Sequence, residues 1–183
     1  MTRSAFLFSD ASSRETAVTA RKTIQPDDYG RLIEPLLGQA AGYARAILRN
    51  RTDAEDAVQQ AALRGLERSG TFDPTRPFKG WWFTILRNCC IDTLRHRQAA
   101  RTVAIEGHEP VGETAGPGDS WQVLANALAA LSDEHREILR LRYFAGLAYR
   151  ELASALDIPE GTVMSRLHLA RKALARNMRL EEL

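Results

Sequence analysis

The chain has 183 residues, of which 44% are hydrophobic and 26% charged, with a formal net charge of +2, enough for one ordinary domain or two small ones and too little for a large catalytic fold with its own substrate domain. No apolar run approaches the roughly 20 residues that a membrane helix needs, which sets aside membrane insertion. The two cysteines, Cys89 and Cys90, are adjacent and exclude both a disulfide framework and a four-ligand zinc site, so a reducing cytoplasm is expected.

Residues 1–25 carry a short apolar run, Ala5 to Phe8, and a Ser/Thr-rich stretch without a clear period, which reads as a mobile N-terminal extension rather than a signal peptide. From Asp28 to Asn50, Leu32, Leu36, Tyr43 and Ile47 recur at near-helical spacing, with Pro35 marking a first turn or a break. Thr52 and Glu55 match a capping box, and Asp53 and Asp56 suit the positive end of a helix that should run to about Ser69. Gly70 to Pro77 is a loop by its Gly and Pro content. A third helix follows with Phe78, Trp82, Ile85 and Cys89 on an apolar line, leaving Thr84, Arg87, Asn88 and Arg95 on other faces. One side is expected to pack and the other to be free for binding.

Residues 102–119 mix Gly107, Gly112, Gly116, Gly118, Pro110 and Pro117 with Glu106, Glu109, Glu113 and Asp119 and contain no Lys or Arg, the composition of a flexible acidic linker between two units. Beyond it, Trp121, Leu124, Leu128 and Leu131 define a helix, and Ser132 before Asp133 and Glu134 caps another that should reach about Phe144. With no strand-like alternation and no internal repeat, the expected fold class is all-α, in two small helical domains, 26–101 and 120–183.

Between Tyr149 and Leu174, Ala153, Asp157 and Val163 have the spacing of a helix-turn-helix: a small residue for close approach, a left-handed turn residue, and an apolar lock. Glycine is the more usual turn residue, but Asp tolerates the left-handed conformation better than most. Val163, Leu167, Ala170 and Leu174 form a stripe to be buried, which turns Ser165, His168, Leu169 and Lys172 outward with Met164 and Arg171 beside them. Every charged residue from Met164 to Arg179 is basic: Arg166, Arg171, Lys172, Arg176 and Arg179. That suits DNA phosphates. His96, His108, His135 and His168 have no metal-ligand spacing, and no glycine-rich phosphate loop occurs. Neither a cofactor nor a metal is expected, and no catalytic residue is assigned.

Leu131 to Leu139, Arg142-Tyr143-Phe144, Gly146 to Tyr149 and Gly161 to Leu167 closely resemble region 4 of RNA polymerase sigma factors. Asp53 to Gln59, Phe78-Lys79-Gly80-Trp81-Trp82, Ile85 to Asn88 and Ile91 to Arg95 resemble region 2. Both occur in order across a short linker, the arrangement of the extracytoplasmic-function (ECF) group of the sigma-70 family. The resemblance implies a non-enzymatic initiation factor whose partners are core RNA polymerase, through its beta-prime clamp helices and beta flap, promoter DNA, and an anti-sigma factor.

It further implies residue roles. Asp53, Glu55, Asp56, Gln59 and Gln60 would dock on the polymerase, although the same acids serve equally well as helix-capping groups. Arg76, Lys79, Trp81, Arg87, Asn88, Asp92, Arg95 and Arg97, with the Thr71 to Pro77 loop, would meet the minus-ten DNA, where a base is captured out of the stack. Thr162, Met164, Ser165, Arg166, His168, Leu169, Arg171 and Lys172 would meet the minus-thirty-five duplex. Trp82 and the two cysteines read as core. A free-standing helix-turn-helix repressor or activator is the competing class, and the Asp53 to Gln60 segment argues against it.

Overall fold

The computed structural model describes residues 24–103 and 119–180. All regular structure among them is helical: α1 Pro26–Ile33, α2 Leu37–Leu48, α3 Arg51–Glu67, α4 Phe78–Val103, α5 Asp119–Ala129, α6 Asp133–Tyr143, α7 Tyr149–Leu156 and α8 Glu160–Leu180. The expected extension before Ile24 and the bulk of the expected linker, 104–118, lie outside the described residues.

Local chemistry sets most of the boundaries. The break expected near Pro35 is a 3-10 turn over Glu34–Leu36 separating α1 from α2. The start of α3 differs from expectation. Asn50 is its N-cap, its side chain accepting from the Asp53 amide at 3.0 Å, so Thr52 lies inside the first turn and caps nothing. Asn is among the strongest N-caps, and with the helix beginning earlier Glu55 pairs with Arg51 at 2.8 Å instead of reaching back to Thr52. Ser132 caps α6 as its sequence suggests, accepting from the His135 amide.

In the N-terminal half, α2, α3 and α4 form a bundle with α1 laid against α3. Trp82, Phe83, Tyr43 and Leu86 are its largest fully buried side chains. Removing a side chain of that size from water contributes about 1.5–3 kcal/mol. A buried relay fixes the angle at which α1 crosses α3: the Trp82 indole donates to the Tyr29 hydroxyl at 2.9 Å, and that hydroxyl donates to the Ala62 carbonyl at 2.9 Å. Gly65 leaves room for the tyrosine, whose hydroxyl occupies the position any Cβ there would need. In the C-terminal half α8 packs against α5, α6 and α7, around Ile138, Leu141, Leu147, Leu152, Val163 and Leu167.

α4 was expected to bury one face and leave the other free. It buries more: Phe83, Leu86 and Cys90 join Trp82, Ile85 and Cys89 in the core. The reason is that α4 is packed from several sides, by α2 and α3 on one and by α7 on another. Thr84, expected on a free face, donates to the Ala155 carbonyl of α7 at 3.3 Å as well as to its own Gly80 carbonyl at 3.0 Å.

Candidate nucleic-acid interface

The helix-turn-helix is formed by α7, a turn at Asp157 and α8. Asp157 adopts the left-handed conformation (φ 53°, ψ 48°), which a short polar side chain tolerates. The Ile158 amide closes the turn on the Ala153 carbonyl at 3.1 Å. Val163, Leu167 and Ala170 are buried and lock α8 onto its neighbours. The opposite face is open: Met164, Ser165, His168, Leu169, Arg171 and Lys172 are all exposed, with Thr162 and Arg166 half-buried at its edge. Three of these residues are tied down locally: Arg166 pairs with Glu134 at 3.4 Å, Ser165 donates back to the Thr162 carbonyl at 3.1 Å, and Arg171 donates to the Leu167 carbonyl at 3.3 Å.

A second feature lies on the N-terminal half. Phe72, in the loop before α4, stacks against Trp81 and Phe78 with ring centroids 5.2 and 5.5 Å away. Phe72 and Trp81 form an aromatic wall and, with Arg68, Thr71, Ile85 and Asn88, line a cleft of about 360 Å³ that Ser154, Ala155 and Asp157 of the C-terminal half help to enclose, a volume large enough for a nucleobase. Trp81 is half-buried in that wall, whereas Trp82 is wholly in the core, as their spacing suggests. Asn88 stands exposed at the cleft, its amide free to donate and accept.

The charged residues expected beside this cleft divide into three groups. Arg97 and Asp92 are bonded within the N-terminal bundle: Arg97 pairs with Asp53 and donates to the Leu48 carbonyl, and Asp92 accepts from Arg64 at 2.9 Å. Arg76, Lys79 and Arg87 reach across to the C-terminal half, while Arg95 is exposed. On α3, Asp56, Gln59 and Gln60 form an exposed polar strip with Glu55. Asp53 is half-buried under Arg97, which gives its carboxylate an internal partner. Cys89 and Cys90 are fully buried, and burial pushes the Cys90 thiol up to about 12. Both pack in the core, and burial raises the Cys89 thiol as well.

The sigma-70 region 2 family model matches residues 32–100, and that of sigma-70 region 4 matches residues 121–174. The ECF RNA polymerase sigma factor SigL of Mycobacterium tuberculosis is 35% identical over 147 residues, covering 77% of this chain and 82% of that protein. The chain belongs to the ECF sigma factors. SigW of Bacillus subtilis is 29% identical over 148 residues, 73% of this chain and 79% of that protein. Among solved structures, CnrH in complex with the cytosolic domain of CnrY aligns with a TM-score of 0.64 at 26% identity, over 85% of this chain and 90% of that one. RpoE in complex with the anti-sigma factor NepR from Bartonella quintana aligns with a TM-score of 0.61 at 27% identity, over 84% and 98%.

As a sigma factor the chain acts in transcription initiation, and its region 4 carries the helix-turn-helix. Sequence reasoning missed Phe72 as a wall of the cleft. An aromatic residue set in a Gly/Pro loop was the available signal, since such a side chain seldom lacks a packing partner. Leu169 is 53% exposed on the open face of α8. Leu169→Arg is expected to steepen the dependence of log affinity on log salt for minus-thirty-five duplex by about one unit. Titration of the holoenzyme at several salt concentrations measures this. An unchanged slope with weakened anti-sigma inhibition would assign Leu169 to a protein interface instead.

Proposed function

We propose that this sigma factor divides its work between two domains, 26–101 and 120–183, joined by the acidic segment 102–119. The N-terminal domain docks on the beta-prime clamp helices of core polymerase through Asp56, Gln59, Gln60 and their neighbours Asp53 and Glu55, and opens the minus-ten element. The C-terminal domain reads the minus-thirty-five duplex through the exposed face of α8 and meets the beta flap. The chain supplies binding energy and base capture and carries out no chemistry of its own. It works where the polymerase is, in the cytoplasm; no helix among its described residues is long and apolar enough to cross a membrane.

One observation carries this reading: the Asn88 and Trp81 cleft and the exposed α8 face occur in one chain. A duplex-binding repressor requires only the second. Flipping a base costs a few kcal/mol, and a protein without nucleotide hydrolysis must recover that from a pocket, a stacking surface and phosphate contacts. Phe72, Trp81 and Asn88 supply the first two, and Arg76, Lys79, Arg87 and Arg95 the third. We further propose an anti-sigma partner, as the aligned CnrH and RpoE are held in complexes with CnrY and NepR.

The test is transcription in vitro by bacterial core polymerase over a promoter library, with and without the chain. Promoter-specific initiation is expected only with it. Asp56 is exposed on α3, so Asp56→Arg is expected to leave folding within about 0.5 kcal/mol of wild type. The same variant is expected to weaken core binding about tenfold or more, since a reversed charge within an interface is costly. Undiminished core affinity in the folded variant would remove α3 from the docking surface.

A further inference from the structure

The outward face of α8 is unevenly made. The buried stripe of Val163, Leu167 and Ala170 marks the side turned to the core, and the exposed Ser165 and Lys172 lie opposite it. Met164 and Leu169 flank those two, one on each edge of the face, about 140° apart around the helix axis and about 7.5 Å apart along it. Both edges are open, Met164 being 54% and Leu169 53% exposed.

The polar groups near them are constrained. The Ser165 hydroxyl donates back to the Thr162 and Gly161 carbonyls at 3.1 and 3.3 Å, so its hydrogen is engaged and its lone pairs are what it offers a ligand. From Glu160 to Ala170 the only Arg or Lys is Arg166, and it is half-buried and paired with Glu134. Arg171, Lys172 and Arg176 follow further along, all exposed. Helix α8 therefore has a leading half whose cation is held by the protein and a trailing half that is basic.

Docking on a duplex gives each half a different use. The N-terminal residues of the second helix of a helix-turn-helix reach the base edges, while phosphate contacts hold the helix in register. Guanine is read by an Arg or Lys bridging O6 and N7, whereas an apolar end gains from the 5-methyl group of thymine. Two separate apolar ends on a face they share with cations do not make the contiguous patch of a protein interface.

We propose that Met164 and Leu169 set the upstream sequence preference of this factor, each packing on the 5-methyl group of a thymine, and that the two thymines lie on opposite strands. The proposal rests on the assignment of α8 to the minus-thirty-five duplex. A helix lying in the major groove has one strand on either side, so side chains on its two edges meet different strands. Arg171, Lys172 and Arg176 neutralise phosphates and add affinity without selecting sequence.

Uracil tests it, because replacing thymine by uracil removes the 5-methyl group alone. The probe is the duplex that holoenzyme selects most strongly from a library randomised across the minus-thirty-five region, remade with each thymine in turn changed to uracil. Two replacements, one on each strand, are expected to weaken holoenzyme binding about fourfold each, the effect of returning one buried methyl-sized group to water. Met164→Ala is expected to abolish the penalty at one of these positions and Leu169→Ala at the other, each leaving its counterpart intact. Both side chains are exposed, so the truncations should leave the fold unchanged by circular dichroism.

A selected duplex that shows no methyl penalty overturns the proposal, as does a penalty that both alanine variants retain. Coupling of both residues to thymines of one strand overturns the strand assignment. Retention of both penalties by Leu169→Ala together with escape from anti-sigma inhibition would place Leu169 in a protein interface and overturn its part in reading DNA. Failure of the holoenzyme to select any upstream sequence would sink the proposed function and this reading with it, whereas a selected sequence without methyl coupling sinks this reading alone.

Discussion

Trp82→Ala is expected to cost about 3–5 kcal/mol of stability, the usual price of emptying a large aromatic site in a packed core. Trp82 is fully buried, meets Phe83 edge to face at 5.4 Å, and donates its indole hydrogen to the Tyr29 hydroxyl. The truncation therefore removes packing on α4 and the clamp on α1 together. Since domains of this size are stable by about 5–15 kcal/mol in total, the variant should sit near its unfolding transition at growth temperature. Urea denaturation followed by circular dichroism measures the shift in midpoint. Trp81→Ala is the control: its half-buried ring belongs to the wall of the cleft, and its stability loss should be clearly the smaller of the two. Comparable losses would mean that both indoles are core residues and that the cleft has no stacking surface to offer a base.

Asn88→Ala is expected to impair promoter opening roughly 10- to 100-fold while leaving closed-complex formation and folding near wild type. The side chain is exposed, so little packing is lost. In the proposed role its amide reads the edge of a flipped base, and a contact of that kind discriminates by about 1–3 kcal/mol. Because base capture follows duplex engagement, the loss should appear in permanganate reactivity of minus-ten thymines and not in filter binding of the closed complex. Equal melting at saturating holoenzyme would show that the base is held elsewhere, with Arg68 and Thr71 on the same cleft the next residues to replace. Together the Trp82 and Asn88 variants separate a protein that fails because region 2 unfolds from one that folds and cannot melt DNA.

Much of the molecule was legible in the linear chain because its determinants are local. The Ser132 cap of α6, the interruption at Pro35 and the left-handed turn at Asp157 each depend on one side chain and its immediate backbone. The buried stripe of Val163, Leu167 and Ala170 follows from helical periodicity. The exposed face of α8 follows as its complement. The same logic separated Trp82 from Trp81 by a single step along α4. Where the local reading failed, two signals overlapped: Asn50 and Thr52 are both competent N-caps, and the stronger one upstream began α3 earlier.

What the chain by itself left open is whatever depends on residues far apart in it. Phe72 belongs to the cleft because the loop before α4 folds back onto Trp81 and Phe78. Tyr29 reaches Trp82 only because Gly65 lets it pass. Arg76, Lys79 and Arg87 look from their positions like a free basic surface, yet each is bonded to a residue at least 50 positions further on. Periodicity tells which face of a helix is apolar, but it is silent on what covers the polar face. A polar face is indifferent between water, DNA and another helix until tertiary packing brings oxygen acceptors to its cations. Here Gly80 permits that approach and the carboxylates and carbonyls of α6 and α7 complete it.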